Sequence, residues 1–220
     1  MRKLLISTMV VSMVLVFIIP QSFAECECDL NGDGSCNGQD WLLFYPDWGR
    51  TDCPDRPAAP VPITGQVTSY ETGDDGDLKM GVSWPDPRFA DNGDGTVRDN
   101  LTGLIWLKNA DCFGSPTWYG ALDASNSLAD GECGLSDGSS PGDWHLPNLR
   151  ELHSMIDFSN YLPALPSGHP FTNVQSSFYW SGNTVADYTL HAWTVSMSYG
   201  LVYDRNKDYI YYVWPVRVDN

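Results

Sequence analysis

The chain has 220 residues, enough for one large domain or an ordinary domain with a small appendage, which excludes a peptide or a fibrous repeat. Its 28 acidic against 12 basic side chains leave a formal charge of −16, a field that repels phosphates and sulfates, so no nucleic acid partner is expected. Hydrophobic residues at 42% and aromatics at 13% are too many for a disordered chain, while 20 Gly and 15 Pro indicate short strands and many turns.

Arg2 and Lys3 precede an apolar run from Leu4 to Ile19, Pro20 interrupts it, and Ser22-Phe23-Ala24 puts small residues where a signal peptidase cuts. Residues 1–24 therefore read as a Sec signal peptide, with the mature chain starting at Glu25 and no membrane segment left after cleavage. An uncleaved anchor is the alternative, because the apolar run is near the lower limit of a bilayer span. Glu25, bulky and charged, stands directly before Cys26 and disfavours lipid attachment. All six cysteines follow the signal, so disulfides are expected and the protein is expected to be secreted or displayed at the cell surface.

Residues 25–53 hold four of those cysteines and a loop of calcium-binding spacing. Asp29, Asn31, Asp33, Asn37 and Asp40 occupy positions 1, 3, 5, 9 and 12 of a twelve-residue loop, with Gly34 at the sharp turn and the Ser35 carbonyl at position 7. That pattern surrounds Ca2+, a hard cation, with oxygen donors. Asp at position 12 departs from the EF-hand, which has Glu there. The loop resembles a single dockerin-type repeat, and Trp41-Leu42-Leu43-Phe44 starts an exiting helix that Pro46 ends early. So small a module cannot hold itself by its core, so the ion and disulfides must contribute. Three connectivities are open; Cys26 with Cys53 and Cys28 with Cys36 is the favoured one.

Residues 54–62, rich in proline, read as a stiff linker. The domain at 63–220 is then expected to be α+β, with two helices and a mixed or antiparallel sheet. Arg88 to Asp91 and Thr96 to Asp99 flank Asn92-Gly93-Asp94-Gly95 as a hairpin, and Leu104 to Leu107 forms the next strand. Counting Asp91, Asp94 and Asp99 as a second calcium loop fails, because Gly falls at two ligand positions. Ser115-Pro116 caps a helix from Trp118 to about Ala129. Asn148 with Glu151 starts a second helix, which places Leu149, Leu152 and Ile156 on one face. Cys112 and Cys133, alone in this domain, most simply pair with each other. Phe178 to Trp180, His191 to Met197, Leu201 to Tyr203 and Tyr209 to Val218 read as strands; in the last, alternate residues should be buried and exposed.

Four ordered motifs carry a resemblance: Asp91-Asn92-Gly93-Asp94-Gly95-Thr96-Val97 leading to Thr102-Gly103-Leu104-Ile105-Trp106; Gly142-Asp143-Trp144-His145-Leu146-Pro147-Asn148; Tyr179-Trp180-Ser181; and Val213-Trp214-Pro215-Val216-Arg217. They resemble the C-terminal domain of the bacterial collagen-like adhesin, the Lcl C-terminal family, over roughly residues 63 to 218. The resemblance implies a C-type lectin-like fold shared with formylglycine-generating enzymes, a role as a surface adhesin module, and Trp106, Trp180 and Trp214 in the core. His145 stands where the family motif has Arg, which puts an ion pair of that Arg in doubt. Residues 88–220 carry 15 acidic and 7 basic side chains, which disfavours the sulfated polysaccharides that the adhesin binds.

Enzyme readings are weaker. Gly138-Ser139-Ser140-Pro141-Gly142 fits the Gly-x-Ser-x-Gly pattern, yet Pro141 lacks the backbone N–H that an oxyanion hole needs. None of His145, His153, His169 and His191 has a second His or Cys at metal spacing. No catalytic residue is assigned. The expected function is binding or adhesion to a glycan or protein on a surface, with the loop around His169 and the rings of Tyr199 and Tyr203 as candidate contacts. The alternative is a structural subunit of a surface layer or filament, self-associating through an aromatic edge at Tyr209 to Trp214. A formylglycine-generating-type enzyme is the third reading.

Overall fold

The computed structural model describes residues 61–219. The signal peptide, the calcium loop, its four cysteines and residues 54–60 of the linker lie outside the described residues. The described domain is α+β, in the order α1 (Asp75–Leu78), β1 (Phe89–Asp91), β2 (Thr96–Asp99), β3 (Leu104–Leu107), α2 (Trp118–Ser127), α3 (Leu149–Ser154), β4 (Phe178–Thr184), β5 (His191–Ser196), β6 (Val202–Asn206) and β7 (Val216–Val218). Two antiparallel sheets form, one ordered β1-β2-β3-β7 and one β4-β5-β6. Val61 and Ile63, at the start of the described chain, hydrogen-bond Val82 at 2.9 and 3.0 Å.

The expected hairpin is present, and it uses the acidic residues that mimic a calcium loop. Asp91 Oδ1 accepts from Gly93 N at 3.0 Å and Asp94 Oδ1 from Thr96 N at 2.9 Å, while Gly93 and Gly95 take the positive φ that the tight turn requires. Asp99 is fully buried and pairs with the buried Arg88 at 3.4 Å. The Arg88 guanidinium also lies on Trp84, 4.4 Å from the ring centroid, and donates to the Ser154 carbonyl.

Both expected helices form, with one corrected cap and earlier ends: α2 stops at Ser127 instead of about Ala129, and α3 at Ser154, so Ile156, expected on its apolar face, follows the helix. Thr117 caps α2, its hydroxyl accepting from Gly120 N. Ser115 lies too far upstream, and Pro116 precedes the helix, its carbonyl accepting from Trp180 Nε1 and Tyr211 N, both at 3.2 Å. In α3 both halves of the capping box are made: Asn148 Oδ1 accepts from Arg150 N and Glu151 N, and Glu151 Oε2 accepts from Asn148 N at 2.7 Å. The Cys112–Cys133 disulfide, with a Cα separation of 5.7 Å, ties the approach to α2 to the chain leaving it.

The expected strand at 209–218 shrinks to β7, because the segment before it meets β4 at only one parallel bridge, Tyr212 opposite Tyr179, with Tyr212 N donating to Phe178 O at 3.0 Å and Trp180 N to Tyr212 O at 2.9 Å, and otherwise runs between two cores. Tyr211 and Val213 pack into a cluster with Trp118, Trp180 and Ala192, whereas Tyr212 and Trp214 pack into the larger cluster with Trp106, Trp144 and Tyr179. The alternation of period two is real, yet both faces are covered, so the expectation of one exposed set is wrong. Tyr209 and Ile210 are exposed and Val213 and Trp214 are fully buried, so the aromatic edge supposed for self-association is mostly interior. Trp106, Trp180 and Trp214 are in the core as the resemblance implies, joined by Trp144. Trp214 anchors the larger cluster: it meets Trp106 edge-on at 5.7 Å and Phe171 at 4.8 Å, and its Nε1 donates to Leu107 O at 2.8 Å. Edge-to-face pairs of this kind add about 0.5–1.5 kcal/mol each beyond burial.

Candidate functional site

The loop that follows α3 and the turn between β5 and β6 meet at one end of the domain. Leu162 N donates to Ser198 O at 2.9 Å, Ala164 N to Met197 O at 2.7 Å, and His153 Nε2 contacts Gly200 O at 3.1 Å. Gly200 has positive φ and its α-carbon faces Ile156 and Phe158, so the turn sits directly on the loop. This docking brings Tyr161 and Tyr199 into a near-parallel stack, with centroids 6.5 Å apart and planes at 13°. Both rings remain open to solvent, at 70% and 56% exposure, and Phe158 and Leu201 are exposed beside them.

The other side of the same loop binds residues 64–67. Phe158 N donates to Thr64 O at 3.0 Å, Ser159 Oγ to Gly65 O at 2.7 Å, and Val67 N to Ser159 Oγ at 3.1 Å. Beneath them Asp157 is buried, one carboxylate oxygen accepting from Ser159 N at 2.8 Å and the other from Asn160 Nδ2 at 2.7 Å. Between the two segments lies an open cleft of about 440 Å³, walled on one side by Gln66, Thr68 and Tyr70 and on the other by Phe158, Asn160 and Ser167. The Asp74 carboxylate, accepting from Tyr70 N at 2.7 Å, holds the Tyr70 backbone in place. That bond, with others from Asp77, Glu71 and Ser69, outweighs a desolvation cost and keeps the Asp74 carboxyl below its usual range.

The candidate contacts read from sequence are divided. Tyr199 belongs to the exposed pair, and Ser167, from the loop around His169, lines the cleft. His169 itself is half-buried against Phe171, 5.8 Å between centroids, and burial lowers its pKa. Tyr203, on β6, meets Phe178 edge-on at 5.6 Å and lies under the Arg205 guanidinium at 4.8 Å. Sequence reasoning missed the cleft, Tyr70 and Tyr161, because nothing local marks residues 65–70 as partners of residues 157–160. A solvent-facing tyrosine in a loop is the only signal that Tyr161 offered.

Among the described residues, most cations other than the exposed Lys79 and Arg150 are engaged. Arg98 pairs with Asp219, Lys108 with Asp91 at 2.6 Å, Arg217 with Asp137 at 3.2 Å, and Arg205 lies over Phe178 and Tyr203. Lys207 is buried, donating to Thr184 Oγ1 at 2.8 Å with its ammonium 4.0 Å from the Trp118 ring centroid, so it forms no open patch with Arg205. His145 keeps an acidic partner, Glu151 Oε2, at 3.3 Å. Partial burial raises the pKa of Glu151, but the hydrogen bonds from His145 and Asn148 N win, and its carboxyl stays below the ordinary range.

Among the described residues, no group of three or more His, Cys, Asp or Glu could hold a metal ion. Ser140 is exposed in a turn, where its N–H donates to Asp143 Oδ2 at 2.7 Å. No described helix is long and apolar enough to cross a membrane. A family model described as the Lcl C-terminal domain matches residues 95–217, more than half of the chain, and residues 63–94 of the sequence resemblance fall outside that match. No curated protein matches the chain.

Proposed function

The chain belongs to the Lcl C-terminal domain family, and from that membership we propose that it is an exported, adhesin-like protein that binds a glycan or protein on a surface through a C-type lectin-like domain. The observation that carries this reading is the exposed Tyr161–Tyr199 stack beside a polar cleft, an arrangement suited to stacking and hydrogen bonding with an external ligand. Aromatic rings left stacked in water cost hydrophobic free energy that burial under a ligand would recover. We read the domain as binding without catalysis. Cys112 and Cys133 are joined, so neither supplies a reactive thiol, and Pro141 removes the donor that Ser140 would need.

The protein is expected to favour neutral or cationic ligands, since the domain is acidic and its cations are largely engaged. A heparin column discriminates: retention that salt abolishes contradicts this charge argument, and flow-through supports it. Binding of the mature protein to a glycan array and to bacterial or host surfaces tests the wider reading. Loss of signal in Tyr161→Ala and Tyr199→Ala is the expected result; unchanged signal in both overturns this site.

We further propose that the N-terminal module binds one calcium through Asp29, Asn31, Asp33, Asn37, Asp40 and the Ser35 carbonyl, with residues 1–24 removed on export. Hard oxygen donors at that spacing fit this ion, whose role there is to fold the module. Titration calorimetry on the mature chain should give a calcium heat that Asp33→Ala and Asp40→Ala remove. Element analysis of the purified protein finding another metal in stoichiometric amount would contradict the assignment.

A further inference from the structure

Resting on the surface-binding reading above, we infer that the cleft between residues 65–70 and 157–160 is the seat of one uncharged sugar unit. Its size, about 440 Å³, falls in the range of small-ligand sites. The hydrogen-bonding groups left over there carry the argument. Asn160 spends one amide N–H on Asp157 and Gln66 spends one on Thr68 O at a long 3.5 Å, so each keeps one N–H to donate and its carbonyl oxygen to accept. The hydroxyls of Ser167 and Tyr70 have no partner among the described residues, and either can donate or accept.

This set mixes donors and acceptors and contains no cation. A sugar hydroxyl both donates and accepts, so it satisfies amide oxygens and hydroxyls alike. A carboxylate, sulfate or phosphate is acceptor-only: it would leave the Asn160 and Gln66 oxygens unpaired, meet no cation, and stand against the Asp157 carboxylate in the same lining. A purely apolar ligand would desolvate the same oxygens without replacing their hydrogen bonds. The Phe158 and Tyr70 rings supply the apolar surface that the face of a pyranose covers. Asp157, which also lines the cleft, acts here as a positioning residue: its carboxylate oxygens accept from Ser159 N and Asn160 Nδ2 and fix the amide.

The test uses the full mature chain with methyl α-mannoside, methyl β-galactoside, N-acetylglucosamine, glucuronate and glucose 6-sulfate as probes in saturation-transfer and titration NMR. At least one neutral sugar should bind, with affinity insensitive to salt, and about tenfold more tightly than either anion. Gln66→Ala and Ser167→Ala, both at the surface of the cleft, should each weaken it by about tenfold with an unchanged melting temperature. Equal or tighter binding of the anions, no binding of any neutral probe, or sugar binding untouched by both variants overturns the inference. Surface adhesion measured in parallel separates the two readings. If Gln66→Ala and Ser167→Ala adhere like the parent while Tyr161→Ala does not, the cleft assignment fails and the adhesion reading stands. If the parent adheres to nothing and binds no sugar, both fail.

Discussion

Gly65 and Asp157 are in contact so close that only glycine fits: a Cβ on Gly65 would stand 2.4 Å from Asp157 Oδ1 and 2.6 Å from Cη2 of Trp84. Gly65 also has φ +89, a conformation that side chains disfavour. Gly65→Ala should therefore destabilise the domain by about 1–3 kcal/mol through overpacking, in addition to backbone strain. Gly73→Ala is the matched control, since φ is +87 there but nothing lies within 4 Å. It should cost only the strain, about 1–2 kcal/mol. Denaturant midpoints of the two variants measure the difference, and equal losses would mean that the contact with Asp157 relaxes freely.

The buried pair Arg88–Asp99 was not legible beforehand, because a single sequence does not distinguish a buried carboxylate from a solvated one. Asp99 also accepts from Leu101 N at 3.0 Å and Thr102 Oγ1 at 2.9 Å. Asp99→Ala strands a buried guanidinium and should cost about 3–5 kcal/mol. Urea unfolding is the measurement; a loss below about 1 kcal/mol, the scale of an exposed pair, would contradict the burial.

Thr117→Ala should remove the α2 cap and cost about 1 kcal/mol, whereas Ser115→Ala should be nearly neutral. Thermal melts of the two variants decide between the observed cap and the one the sequence suggested. The reverse ranking would restore Ser115.

Glu151 gives stability a pH dependence of defined sign. Its pKa is lower in the folded than in the unfolded protein, so its contribution is complete above the ordinary carboxylate pKa and is lost as pH falls through the lowered folded value. Glu151→Gln should flatten the stability profile across that acid window while changing it little near neutrality beyond the loss of the pair. An identical acid slope in parent and variant would exclude the contribution.

Reducing the Cys112–Cys133 bridge, 21 residues apart in sequence, should lower stability by about 3 kcal/mol on the chain-entropy account. Peptide mapping without reduction should recover that link. Recovery of Cys112 joined to a cysteine of residues 25–53 would refute the pairing and the two-domain organisation together.

Much of the local structure was legible in the sequence because its causes are local. Asn92-Gly93-Asp94-Gly95 forces a tight turn through its φ values and side-chain hydrogen bonds, Asn148 and Glu151 cap a helix reciprocally, and the two lone cysteines of the domain pair. The family, too, was legible from short motifs in order, and these motifs hold Trp106, Trp144, Trp180 and Trp214 of the core. Tertiary structure alone decided what lies opposite what. The alternation of Tyr211 to Trp214 was visible, but only the fold places a second hydrophobic cluster on the face that would otherwise be wet. The cleft depends on Val67 meeting Ser159, 92 residues away, and the aromatic stack depends on a turn seated on a loop. Periodicity and capping report the conformation of a segment. They carry no information about its partner, because burial of apolar surface is non-directional and many pairings of the same segments would satisfy it.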